Sequence, residues 1–171
     1  MFREMRRKKQ LLALEESTAV LECGTSGVLA VLGDHGYPYA VPISYVYDGA
    51  HIYFHCAKAG HKLDAVKRNQ KASFCVIDKD EIIPEEYTSY FRSVIAFGTI
   101  RILENEQEKR DAIKKLALKY APDGTADHRK AAIDREWGPL CMLEMTIEHL
   151  TGKEAIELVR AKNPGNQSGT H

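Results

Sequence analysis

Tyr37-Pro38-Tyr39-Ala40-Val41-Pro42-Ile43-Ser44-Tyr45-Val46-Tyr47, then Asp48-Gly49, then His51-Ile52-Tyr53-Phe54-His55 is the stretch that decides the fold. Asp-Gly between two β-branched and aromatic runs is a hairpin signal, and Ile52 and Phe54 alternate with polar neighbours onto one face. Proline cannot donate to a β-ladder. Two prolines in one run therefore predict an edge, a bulge, or a backbone that faces something other than a strand, such as a ligand.

Outward from that hairpin the pattern stays β-rich. Residues 26–32 form an apolar β-branched run, joined to 37–47 through the turn cluster Gly33-Asp34-His35-Gly36. Residues 72–77 read as a fourth strand and 140–147 as a sixth. Between them 89–103 is a long fifth strand with Gly98 as a bulge or bend that helps a sheet curl, and Pro84 marks a loop before it. Helices are expected at 11–23, stopped by Gly24, and at 62–69, 105–120 and 126–135. No regular βαβ alternation appears. The expected fold is therefore mostly β, a six-stranded antiparallel barrel with peripheral helices, forming a single domain over residues 1–160. Residues 161–171, rich in Asn, Gly and Ser, read as a disordered tail.

Composition excludes several classes. Of 171 residues, 24 are Lys or Arg and 24 are Asp or Glu, so no global field favours nucleic acid or an anionic membrane. The basic start is followed by an apolar run too short for a signal or membrane segment. The four cysteines are widely spaced, as in a reduced cytoplasmic protein. Neither GxGxxG nor GxxxxGK[ST] occurs, and Gly24-Thr25-Ser26-Gly27 is not a GxSxG elbow. His51 and His55 on one strand would stand roughly 13 Å apart, too far to share an ion. No metal site is expected.

Lys58-Ala59-Gly60-His61-Lys62 is the sharpest local feature. It joins a strand end to a helix start, where free backbone N–H groups and cationic side chains suit a phosphate and glycine permits close approach. A solvated charged turn is the alternative reading. Trp137 precedes the last strand, where it would cover a planar ligand or plug the barrel end.

Residues 37–47, Ile52-Tyr53-Phe54-His55-Cys56-Ala57-Lys58-Ala59-Gly60-His61-Lys62, Phe91-Arg92-Ser93-Val94-Ile95-Ala96-Phe97-Gly98 and Trp137-Gly138-Pro139-Leu140 together resemble the flavin-binding split barrels of the pyridoxamine 5′-phosphate oxidase-like superfamily, in its nitroimidazole-resistance (Nim) branch. The resemblance implies FMN at a homodimer interface. The phosphate would lie near His55, Cys56, Ala57, Lys58, Gly60, His61 and Lys62, and the ring near Val41, Pro42, Ile43, Ser44 and Tyr45. Ser93, Val94 and Trp137 would add to the site. It also implies an oxidoreductase passing electrons to a small nitroaromatic acceptor, with NAD(P)H a possible donor and His61 the candidate proton-transfer residue or a structural hydrogen-bonding group. A flavin-storing protein and a haem-binding barrel with His55 or His61 as axial ligand are the rival expectations. The oxidases proper carry an arginine on the second strand and a serine-arginine-lysine loop. This chain has Val41 and Gly60-His61-Lys62 instead, so oxidation of pyridoxamine phosphate is not expected.

Overall fold

The computed structural model describes residues 1–163. In order it contains α1 (Leu14–Cys23), β1 (Ser26–Leu32), β2 (Pro38–Tyr47), β3 (His51–Ala57), α2 (His61–Arg68), β4 (Lys71–Ile83), β5 (Thr88–Ile102), α3 (Glu106–Tyr120), α4 (Ala126–Glu136), β6 (Leu140–Glu154) and α5 (Ile156–Lys162). The strands close into one antiparallel barrel in the order β1-β2-β3-β6-β5-β4. The expected six-stranded barrel with peripheral helices is what forms.

Period-two alternation sorts the side chains. Leu29, Val31, Tyr45, Ile52, Phe54, Phe74, Val76, Val94, Leu143 and Met145 fill the interior. Phe74 meets Tyr45 and Phe54 edge to face, at 4.8 and 5.0 Å between centroids, an arrangement aromatic quadrupoles favour. On the outside of β2, β3 and β6, Val46, Tyr53 and Met142 pack under Ala112, Ile113 and Leu116 of α3 and Ile133 of α4.

Gly98 is where β5 turns. The register against β6 shifts between Phe97 and Gly98, and a Cβ there would stand 1.9 Å from the Thr146 carbonyl oxygen. Only glycine lets the two backbones come so close.

Three expectations are corrected. Residues 78–88 form no open loop, because β4 runs on to Ile83 and pairs with β5 as far as Ile83↔Thr88. β6 continues to Glu154 rather than stopping at 147, pairing with β5 along its whole extension. Ala161 and Lys162 belong to α5, and the Lys162 ammonium lies 2.7 Å from the buried Glu154 carboxylate. The rest of the expected tail, 164–171, lies outside the described residues.

Candidate functional site

The barrel is split between β2 and β3. β2 pairs with β1 from Pro38 to Ser44, whereas β3 reaches it only at Tyr45, Val46 and Tyr47. The Tyr37 carbonyl accepts from the Gly33 amide on the β1 side, so the backbone groups of the even-numbered residues point away from β1. Pro38 and Pro42 therefore lack their N–H where no strand is waiting. The prolines mark an edge, and that edge leaves the amides of Ala40 and Ser44 on the open side.

Below the split, β3 ends at Ala57 and α2 starts at His61. Gly60 holds φ at +128°, a conformation that L side chains rarely adopt. It is the N-cap of α2 with no side-chain cap. Leu63 and Asp64 donate to the Gly60 carbonyl at 3.0 and 3.2 Å, while the first-turn amides of His61 and Lys62 have no intrahelical acceptor. Those donors stand at the same corner of the chain as Lys58 and Lys62, so positive charge, partial and full, collects there.

His61 is fixed rather than free. Its Nε2 accepts from the Asp34 amide at 3.3 Å, its ring stacks on Tyr39 with centroids 4.1 Å apart, and Asp34 is clamped by Arg68 at 2.6 Å. Arg68 holds the Asp34 carboxyl below its usual range. Accepting at Nε2 puts the ring proton on Nδ1. This anchor lies 27 residues away in sequence, and nothing in the local pattern announces it.

The other expected residues divide into groups. Pro42 and Ser44 face outward on the split strand, while Val41, Ile43 and Tyr45 pack toward the barrel interior. Tyr45 is fully buried and donates its hydroxyl to the Leu21 carbonyl at 2.7 Å, so its side chain is not a ring contact. Cys56 also turns inward, opposite Cys141, and burial with that second thiol pushes its thiol up to about 12. His55 and Ala57 lie outward on β3, and burial followed by Lys62 lowers the His55 pKa.

Ser93 and Val94 are not brought to the loop. Ser93 pairs with Lys153 of β6, whereas His55 pairs with Met142 of the same strand, about 36 Å apart along it. Val94 is fully buried. Trp137 is held by α3, its Nε1 donating to Glu106 at 3.1 Å and its ring 4.2 Å from both Lys109 and Arg110. It anchors α4 on α3.

The sequence model of the family described as pyridoxamine 5′-phosphate oxidase matches residues 14–154. The chain belongs to that family. Its barrel is similar to a candidate 5-nitroimidazole antibiotic resistance protein from Bacteroides thetaiotaomicron (18% identity, 84% of this chain and 86% of that one, TM-score 0.69). It is also similar to the conserved hypothetical protein Rv2991 from Mycobacterium tuberculosis (16%, 88% and 90%, TM-score 0.76). A FAD-binding protein from Mesorhizobium loti is 26% identical over 85% of this chain and 97% of its own, with a TM-score of 0.59. No curated protein matches the chain. None of the described helices is long and apolar enough to cross a membrane.

Proposed function

We propose that this family member binds FMN at the split, as a homodimer, and passes electrons to a small acceptor of the nitroaromatic class. The observation that carries the reading is the uncapped N-terminus of α2, opened by Gly60 beside the unpaired edge of β2. A dianionic phosphate fits that donor set, and a planar ring with hydrogen-bonding edges fits the amides of Ala40 and Ser44. The flavin bound by the Mesorhizobium relative and the resistance named for the Bacteroides one support the class of ligand and acceptor.

In this reading Lys58, Lys62 and the α2 amides hold the phosphate, and the outward face of Pro42 and Ser44 meets the ring. His61 keeps Nε2 on the Asp34 amide and presents its proton at Nδ1, so any proton it moves leaves from that atom. A bound flavin supplies the electron transfer; the chain positions it and shields one face.

The outer sheet supports the dimer reading. Pro42, Val28, Cys75 and Ile95 form one cross-strand row, and Ala40, Ala30, Ser73 and Phe97 the next. This is a small, largely apolar face, flanked at its Phe97 end by Phe2 and His149. A two-fold contact there lets Ser93 of a second copy reach the loop that its own chain cannot approach.

The test is an absorption spectrum of purified protein with added FMN after gel filtration, and identification of the released cofactor. Flavin retained at about one per chain, with affinity about 10- to 100-fold weaker in Lys62→Ala, supports the site; none retained overturns it. NADPH oxidation on adding a nitroaromatic separates an enzyme from a storage protein.

A further inference from the structure

α3 and α4 turn two like faces toward one another. On α3 the face is Arg110, Lys114, Ala117 and Leu118, spaced i, i+4, i+7 and i+8. On α4 it is Ala126, Arg129, Lys130 and Ile133, spaced i, i+3, i+4 and i+7. The barrel takes the other side of α3, through Ala112, Ile113 and Leu116, and of α4 only Ile133 is buried. The two helices therefore meet along a thin line. Alanines at 117 and 126 leave space there that longer apolar side chains would fill. The result is a cleft of about 440 Å³ lined by these two faces, a size suited to a small molecule. Its lining is half apolar and half cationic, and Leu118 remains 53% exposed beside it.

Ion pairing does not use up the positive charge. Asp134 takes both Arg110 and Lys130, at 2.9 and 2.7 Å, and Lys114 stands 3.7 Å from Asp111, which also accepts from the Gln107 side chain. Two carboxylates thus serve four cations. Asp123 and Asp127, the acids nearest Ala126 in the chain, are exposed and make no ion pair among the described residues, and water screens exposed charges beyond pairing distance.

Arg129 is the cation without a carboxylate. Its Nη1 donates to the carbonyl oxygens of Ala121 at 3.2 Å, Pro122 at 3.4 Å and Gly124, which closes the turn between the helices and fixes the guanidinium. Nε and Nη2 have no acceptor among the described residues, and a guanidinium fork matches a carboxylate in shape and charge.

We propose that this cleft binds a small organic carboxylate. Its apolar body lies on Ala117, Leu118, Ala126 and Ile133, and its carboxylate meets the Arg129 fork, with Lys114 and Lys130 flanking. An inorganic anion leaves the apolar half wet, and an uncharged hydrocarbon leaves the cations unmatched. A molecule with both parts satisfies both halves. None of these residues belongs to the Gly60 corner or to the outer sheet face, so the site stands independently of the flavin and dimer readings. A ligand that touches both helices also ties α4 down onto α3.

An amide-resolved NMR titration of the full chain with octanoate tests it, with octanol and inorganic phosphate as the uncharged and the purely polar controls. Octanoate is expected to give saturable shifts centred on residues 117–118 and 126–133, with a dissociation constant of about 1 mM for so small a probe, and to slow amide exchange in α4. Leu118→Asp, at an exposed position, is expected to weaken octanoate about tenfold with the thermal melt unchanged. Arg129→Gln is expected to weaken it about tenfold. Because Arg129 also closes the turn, Lys114→Gln/Lys130→Gln gives a second reading of the charge at two exposed positions, expected at about threefold. No saturable shift, or shifts confined to residues outside α3 and α4, overturns the site. Octanol bound as tightly as octanoate overturns its anionic half, phosphate bound as tightly overturns its apolar half, and octanoate binding indifferent to Leu118→Asp overturns the placement.

Discussion

Asp48 closes the β2–β3 turn, accepting from the amides of Ala50 and His51 at 3.1 and 2.9 Å and pairing with Lys115 of α3. Burial would raise its pKa, but Lys115 and the two amides together bring it down to about 2 from 3.8. A carboxyl depressed by folding contributes stability that is present above pH 3.8 and is lost as pH falls through 2. Because the site is largely solvated, that contribution is about 1 kcal/mol. Asp48→Asn should lower stability near neutrality by that amount and flatten the acid limb between pH 4 and 2 in urea titrations. Tyr120 does comparable work on the other side: its hydroxyl donates to the Thr25 carbonyl and accepts from the Tyr45 amide at 3.1 Å, where β1 and β2 part. Tyr120→Phe strands the Tyr45 N–H and should cost about 1–3 kcal/mol, read as a shift in the denaturant midpoint without a change in slope. Individual roles of this kind were partly legible. Gly60 was legible as the break between strand and helix, but the Asp34 anchor of His61 and the inward turn of Tyr45 depend on partners distant in the chain.

Elements were legible where turn residues punctuate apolar runs, as at Gly33-Asp34-His35-Gly36 and Asp48-Gly49. The run of β4 on to Ile83 was hidden because Asp78-Lys79-Asp80-Glu81 breaks the apolar pattern, and only its pairing with β5 carries the strand through them. The far end of β6 escaped for the same reason, since Glu148, His149 and Lys153 interrupt it, and its pairing with β5 and the close approach of Gly152 to Leu12 and to Ser17 of α1 explain why the strand continues. Gly98 was legible as a bend, and the structure supplies its cause. Gly98→Ala must push β5 from β6 and should destabilise by about 2–3 kcal/mol, checked by urea unfolding, whereas Gly36→Ala, whose Cβ would meet open space, should cost less even with its φ of +78°.

For the whole molecule, an oligomer that binds folded protein to folded protein shifts unfolding by mass action. If the outer face is shared, the melting temperature should rise with protein concentration, and should rise again with FMN; a melting curve that ignores concentration between about 1 and 100 μM would speak for a monomer. The ring of strands is thinnest between β2 and β3, with β1 and β4 next at four rungs. Eleven rungs join β5 to β6 on one side, against three joining β2 to β3, so strand separation starts where the fewest backbone bonds must break. Amide hydrogen exchange in residues 38–47 should therefore be faster than in 93–102, and a ligand lodged at the seam would act as a rivet, slowing exchange there before it alters anything elsewhere in the chain.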